Sequence, residues 1–220
     1  MDTCLCVFAK APVCGLVKTR LLPVLTEQQA CDTHIHLIQH CLSQIQAPDW
    51  QSQLWATDTT HPYIVECSQH SVMTLHKQQG EDLGERMAFA ARTSLDDYKY
   101  VVIIGTDCPN INADLISKAV TKLKSGSDVV LGPAVDGGYV LVGLSLMVES
   151  IFRDIEWGTD RVLEMTRNRL YEAGLNYHEL DVQRDIDRPE DLDYLQQAHA
   201  TLFHSIGVSL SLPQSDQEPG

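Results

Sequence analysis

Asp107 stands in Ile104-Gly-Thr-Asp-Cys-Pro109, directly after the most apolar strand-like run of the chain, Tyr100–Ile104. A carboxylate at the end of a buried strand can hold Mg²⁺ or Mn²⁺, hard cations that prefer oxygen ligands and bridge to phosphate. Such a cation spreads the negative charge that develops as a phosphate bond breaks. The competing reading is a turn acid that accepts backbone amides before Pro109. A second acid, Asp136, lies in Gly132-Pro-Ala-Val-Asp-Gly-Gly-Tyr139. Gly137 and Gly138 would let the backbone pass close to a ligand. Asp136 could then bind an acceptor, act as a catalytic base or approach the metal, and Tyr139 could stack or donate its hydroxyl. The same segment also reads as a plain glycine turn with Tyr139 in the core.

The cations lie elsewhere. Between Thr3 and Thr26 there is no acid, while Lys10, Lys18 and Arg20 are all present. Gly15 sits among them and permits a backbone shape that a side chain would prevent. Lys18 is a compact cation suited to phosphate oxygens, and Arg20 can fork two donors onto them. The segment has neither the Walker A spacing nor GxGxxG. The plainer reading is a solvated loop whose cations pair with surface carboxylates. A second loop, Gln79-Gly-Glu-Asp-Leu-Gly-Glu-Arg-Met87, joins a strand to a helix. Gly80 and Gly84 permit tight approach, Asp82 suits a helix N-cap with Glu85 at the capping-box spacing, and Arg86 could reach phosphate or pair with Asp82 or Glu85. Trp157, in Glu156-Trp-Gly-Thr159, could wall an acceptor site or pack in the core.

These groups need a scaffold, and the apolar pattern supplies one. Leu5–Ala9, Gln53–Thr57, Val72–His76, Tyr100–Ile104, Asp128–Leu131, Tyr139–Gly143 and Leu175–Leu180 read as strands. Thr26 and Gln29 form a capping box for a helix carrying Cys31, Ile35, Ile38, Leu42 and Ile45, with Pro48 as its stop. Further helices are expected around Tyr63–Ser68, on Leu83–Met87–Ala90–Ser94, and on Leu115–Ala119–Val120–Leu123. Two more are expected after Thr159, ending at Gly174, and from Pro189 to about residue 200. The alternation predicts a three-layer α/β/α domain over residues 1–205 with a mostly parallel central sheet, followed by a flexible tail at 206–220. Ligands of open α/β sheets bind beyond the C-terminal strand ends, where each of these loops begins.

With 220 residues, one domain with a full core is expected. The net charge of −14 argues against non-specific nucleic-acid binding. No stretch approaches the roughly 18 apolar residues of a membrane helix. The seven cysteines form no CxxC pair, and the nine histidines show no metal-binding spacing. With no signal-like start, a cytoplasmic protein is expected.

The blocks FAKAPVCGLVKTRL, GEDLGERM, IGTDCPN, LGPAVDGGYVLVGL, EWGTDRVL and DIDRPEDL resemble, in order and combination, the DUF2064 family, also called radical-SAM/selenodomain-associated transferase 1. That family is similar to GT-A glycosyltransferases and to nucleotidyltransferases of sugar-nucleotide and molybdenum-cofactor (MobA-like) metabolism. The resemblance implies a nucleotide-diphospho-sugar transferase fold. It implies that Gly15, Lys18 and Arg20 wrap the nucleotide phosphates and that a base lies near Ala9 to Pro12. The loop at Gly80, Asp82 and Arg86 would lie near base or ribose, and Asp107 would be the principal metal ligand. In related nucleotidyltransferases the segment at Asp185–Asp191 reads DxDTPED or DxNTPED, and carry-over of its second acidic position makes Asp187 a metal ligand. Here Arg188 replaces the Thr, and Gly158 replaces a usual Ser.

The expected activity is Mg²⁺- or Mn²⁺-dependent transfer of a glycosyl group from an NDP-sugar to an unidentified small-molecule or glycan acceptor. Asp136 and Lys18 are the catalytic candidates. Nucleotidyl transfer from an NTP to a phosphorylated acceptor, with pyrophosphate release, is the alternative. It is disfavoured because the second basic signature expected of many pyrophosphorylases is not evident. A non-catalytic nucleotide-binding protein is the third reading. The first helix could contribute to a homodimer.

Overall fold

The computed structural model describes residues 1–47 and 49–207. Pro48, expected to stop the first helix, and positions 208–220 of the expected tail lie outside the described residues. Seven strands form one sheet: β1 (Thr3–Ala9), β2 (Gln51–Ala56), β3 (Thr74–Lys77), β4 (Tyr100–Gly105), β5 (Val129–Pro133), β6 (Tyr139–Leu144) and β7 (Tyr177–Glu179). Their order is β3-β2-β1-β4-β6-β5-β7. All neighbours run parallel except β6, which is antiparallel to both β4 and β5. The reason is local. Residues 134–138 are too few for a crossover, so β5 and β6 must pair as a hairpin.

The helices are α1 (Glu27–Gln44), α2 (Pro62–His70), α3 (Leu83–Leu95), α4 (Ala113–Lys124), α5 (Val162–Glu172), α6 (Pro189–Ala198) and α7 (Ala200–Ser205). A 3-10 turn at Thr19–Leu21 lies in the basic loop. Side-chain alternation along β1 splits the core in two. Leu5, Val7 and Ala9 meet Ile38 and Leu42 of α1, Ile64 of α2 and Ile116 of α4. Cys4, Cys6 and Phe8 face the opposite way, toward Met87 and Ala90 of α3 and Leu163 of α5. A third cluster joins the outer side of α1 and the 3-10 turn, through Leu21 and Leu37, to Leu192 and Leu195 of α6 and Phe203 of α7. That cluster carries the C-terminal segment back to the front of the sheet.

The helix ends follow the expected chemistry with one shift. Thr26 Oγ1 accepts the Gln29 N–H at 3.2 Å, and Gln29 Oε1 accepts the Thr26 N–H at 2.9 Å. Gly174, at φ +64°, lies just past α5. Thr159 does not cap α5 directly. The N-cap position is Arg161, and the Thr159 hydroxyl donates back to the Glu156 carbonyl at 2.7 Å.

Candidate functional site

Parallel strands end on one edge, and antiparallel β6 begins there. That edge carries a cleft of about 430 Å³ lined by Ala9 at the end of β1 and Lys10 after it, Thr57 after β2, Gln78 after β3, Asp107 after β4, Tyr139 at the start of β6, and Asp185. Arg86 and Leu83 close one side from α3, and His34 of α1 lies behind the Asp107 end.

Asp107 is brought to the cleft as its sequence position predicts. Lys18 is beside it, but not as a free phosphate ligand. The Lys18 backbone is left-handed (φ 49°, ψ 35°), which turns the side chain beneath the strand ends. Its Nζ lies 2.8 Å from Asp107 Oδ1 and donates to the Ile186 carbonyl, and only 2% of the side chain is exposed. Lys18 is therefore corrected from a cleft-facing cation to a buried counter-ion of Asp107.

His34 completes this corner. Its Nε2 lies 2.9 Å from the Lys10 carbonyl, so that nitrogen carries a proton and donates. Its Nδ1 lies 3.6 Å from Asp107 Oδ1. Burial opposes the charge of Asp107, but the Lys18 ammonium and the His34 ring outweigh it and hold the carboxyl well below the usual carboxylate range. Oδ1 is buried in this corner, while 46% of the side chain remains open, so the exposed part of the carboxylate faces the cleft. Sequence reasoning missed His34. The available signal was its place on the apolar stripe of α1, between Cys31 and Ile38.

The other two loop cations are also engaged. Lys10 Nζ donates to the Leu16 carbonyl at 2.6 Å, bracing its own loop. Arg20 Nη1 pairs with Asp187 Oδ2 at 2.6 Å, and its Nη2 reaches the Gly158 carbonyl at 3.4 Å. Gly15, at φ +79°, packs beside the Glu27 carboxylate. The loop thus closes on protein groups: Lys18 and Arg20 pair with carboxylates, while Lys10, held by a carbonyl, keeps its charge on the cleft lining.

The carboxylates divide differently from the carry-over. Ile186 is fully buried, and its N–H donates to the Asp107 carbonyl at 2.9 Å. This bond ties the 185–187 segment to the end of β4. Asp185 enters the cleft beside Asp107, whereas Arg20 draws Asp187 away. Burial, and then the negative charge of Asp136, push the Asp185 carboxyl up to about 6; Asp107 adds to the rise, while Lys18 opposes it. Asp136 is exposed, and its Oδ1 accepts the Gly138 N–H at 2.9 Å. Among the described residues, no group of three or more His, Cys, Asp and Glu side chains is already gathered as a metal cage.

Several other expected contacts are packing. A Cβ on Gly137 would stand 2.1 Å from the Asp160 carbonyl oxygen, because the Gly137 carbonyl accepts the Leu163 N–H at the start of α5. Gly137 therefore docks the hairpin on α5, while Gly138 closes the turn on Asp136. Gly84 does the same for α3. A Cβ there would meet the Phe152 carbonyl at 2.3 Å and the Trp157 indole at 2.5 Å. Trp157 is packed against Gly84 and edge-on to Tyr139, with ring centroids 6.1 Å apart, rather than walling the cleft. The Tyr139 ring borders the cleft, but its hydroxyl is buried, and burial pushes its pKa up. Asp82 caps α3 by accepting the Glu85 N–H at 2.8 Å. Glu85 reaches one residue past the expected box, accepting the Glu81 N–H at 2.8 Å. Arg86 Nε clasps the Gly80 carbonyl at 3.0 Å.

No helix among the described residues is long and apolar enough to cross a membrane. The fold is that of nucleotide-diphospho-sugar transferases. A structure from Desulfovibrio desulfuricans G20, a candidate nucleotide-diphospho-sugar transferase, is 28% identical, with 94% of each chain covered and a TM-score of 0.85. CMP:2-keto-3-deoxy-manno-octonic acid synthetase in complex with CTP matches at TM-score 0.58 and 11% identity, over 91% of this chain and 99% of that one. Glucosyl-3-phosphoglycerate synthase from Mycobacterium tuberculosis, with Mg²⁺ and uridine diphosphate, matches at 0.51 and 13%, over 96% and 81%. These last two likenesses establish fold. Comparison with curated proteins gives no match. The profile of the DUF2064 family, described as an uncharacterised protein conserved in bacteria, matches residues 40–159, and the chain belongs to that family.

Proposed function

We propose that the protein is a divalent-cation-dependent transferase that moves a glycosyl group from an NDP-sugar to an acceptor hydroxyl. The observation that carries this reading is the charge arrangement of the cleft. Asp107 and Asp185 present carboxylates to it, while Lys10, Lys18 and Arg20 are all held by protein partners. A diphosphate that approaches these two carboxylates meets negative charge at their end of the cleft, while Lys10 and Arg86, bonded only to carbonyls, keep their positive charge on its lining. Beside the acids, a divalent cation would bridge the diphosphate to the protein.

The residues fit such a cation. Asp185 lines the cleft partly buried, and burial first, then the Asp136 charge, raise its carboxyl. The open side of Asp107 faces the same cleft. Both offer hard oxygen donors, and Mg²⁺ commonly takes only one or two carboxylates and keeps several waters. Asp107 and Asp185 would hold the ion, which would neutralise charge on the leaving diphosphate.

The protein's own part is positional. Lys18 and His34 fix Asp107 in its ionised form and point its open side at the cleft. Asp136 borders a neighbouring groove shared with Asp185 and keeps one oxygen on the Gly138 amide, leaving the other to accept a proton from an acceptor hydroxyl seated there. Nucleotidyl transfer from an NTP is the second reading. It is supported less, because the second basic signature expected of many pyrophosphorylases is not evident in the chain.

The test is calorimetric titration of NTPs and of UDP-, GDP-, ADP-, CDP- and dTDP-sugars, each with and without Mg²⁺ or Mn²⁺. Cation-dependent binding of one NDP-sugar is expected. Selective binding of one NTP would replace this reading with nucleotidyl transfer. Binding of none would leave neither transferase reading standing.

A further inference from the structure

The basic loop meets α1 along one face of the helix. Gly15 packs beside the Glu27 carboxylate. Cys14 Sγ lies 3.7 Å from Gln28 Oε1, and the Gln28 amide in turn donates to Asp32 Oδ1 at 2.9 Å. Further along the helix, His34 Nε2 donates to the Lys10 carbonyl. Cys31 stands between these contacts. It follows Glu27 by four residues and Gln28 by three, and it precedes His34 by three. Those spacings put side chains on one helix face. Burial pushes the Cys31 thiol up to about 12, and the neighbouring Cys14 thiol adds to the rise. Cys14 is exposed, while the other six cysteines are buried. Cys4 and Cys6 also approach each other, at 3.8 Å. Both are buried in β1, away from any oxidant, and a bond there would join the strand to itself. Cys14 and Cys31 are thus the pair with one accessible member, and they link two separate segments.

We propose that Cys14 and Cys31 form a reversible disulfide that fastens the basic loop to α1. The inference holds independently of the transferase reading. The oxidant is a low-molecular-weight disulfide of the oxidised-glutathione class. The Cys14 thiolate attacks one of its sulfurs, the small S–S bond breaks, and one small thiolate leaves and takes up a proton. The Cys31 thiolate then attacks the Cys14 sulfur of the mixed disulfide. It expels the second small thiolate, which takes up the other proton. Two cysteine thiols lose two electrons and two protons, and one small disulfide is reduced to two thiols. A disulfide needs its Cα atoms within roughly 7 Å, and the loop already lies over the turn of α1 that carries Cys31. Attack by the raised Cys31 thiol is the slower step at neutral pH. Lys18 follows Cys14 by four residues, so the bond secures the segment that delivers the Asp107 counter-ion.

The test incubates the folded full-length chain with oxidised glutathione, alkylates the remaining thiols and maps the peptides by mass spectrometry. A linked Cys14–Cys31 peptide is expected, and dithiothreitol should reverse it. Constraining the segment 14–31 should raise the melting temperature by about 5 °C. That rise should be absent in Cys14→Ser, whose exposed position leaves the fold intact. Cys31→Ala should stop after the first step, with one glutathione retained on Cys14. Failure of Cys14 to react in the unaltered protein would overturn the proposal. So would a mixed disulfide on Cys14 that persists without linkage, a link from Cys14 to any other cysteine, or a linked protein that melts no higher than the reduced one. If Cys31→Ala does not fold, the unaltered protein and Cys14→Ser decide between these results.

Discussion

Two aspartates a few ångströms from one cleft are held in opposite ways. Asp107 sits on a buried ammonium and a histidine ring, and its carboxyl is held well below the usual range. Asp185 is partly buried near Asp136 and Asp107, and burial first, then those charges, push its carboxyl up to about 6. The first side of the cleft is a finished ion pair. The second is unfinished, with negative charge held in the fold by covalent connection rather than by attraction. A folded protein tolerates such a pairing deficit at modest cost, and deficits of this kind concentrate at sites that take a charged ligand. The difference teaches that the cationic loop stabilises the site, while the acidic segments leave room for what the site binds.

The largest effect should come from breaking the finished pair. Lys18→Met leaves Asp107 Oδ1 without its counter-ion and the Ile186 carbonyl without its donor. Loss of one partner of a buried pair costs about 3 kcal/mol at the low end, the end that applies because Asp107 opens partly to solvent. Chemical denaturation at pH 7 should show that loss, together with weaker nucleotide binding. The pH dependence has a definite sign. Asp107 is depressed in the fold, so its stabilisation is present above its unfolded value and is lost as pH falls below it. In Lys18→Met that acid-side loss should shrink, because the folded carboxyl rises toward its unfolded value. Asp107→Ala should likewise lower stability by stranding the Lys18 ammonium, besides removing cation-dependent binding.

Next in size is the support of the unfinished side. Gly137→Ala places a Cβ against the Asp160 carbonyl at a φ of +87°, which should cost roughly 2–3 kcal/mol. Thermal melting would show it, and a variant with unchanged stability would mean that the hairpin is not docked on α5 as described.

Asp185→Asn sharpens the comparison by moving the other way. A raised carboxyl destabilises the fold where it is ionised. The variant should be about 2 kcal/mol more stable at pH 8, with the gain shrinking between pH 6 and 4 and absent below. A variant that gains stability and loses binding would mark Asp185 as held for function. Arg20→Ala should have the smallest effect, under about 1 kcal/mol, since its pair with Asp187 is exposed.

Much of this was legible in the chain. Continuous apolar residues at Tyr100–Ile104 announced a buried central strand, and its end located Asp107. Thr26 with Gln29 announced the start of α1. The antiparallel insertion of β6 was not read from the chain; it follows from β5 running on to Pro133, which leaves five residues before β6. What the sequence concealed was partnership. The Lys18 ammonium is satisfied by the Ile186 carbonyl, 168 residues away, and no local pattern records that. Nor does spacing distinguish Asp185 from Asp187. They are two residues apart in an acidic segment, and Arg20 decides which one turns from the cleft. Gly137 and Gly138 resemble ligand-facing glycines in sequence, yet close approach of α5 accounts for the first and a turn on Asp136 for the second.

The most direct test of this division is calorimetric titration of the preferred nucleoside diphosphate, with and without Mg²⁺, into the unaltered protein, Asp185→Asn and Asp187→Asn. The account predicts cation-dependent binding in the unaltered protein and in Asp187→Asn, and loss of that dependence in Asp185→Asn. Full cation dependence in Asp185→Asn, with its loss in Asp187→Asn, would contradict it.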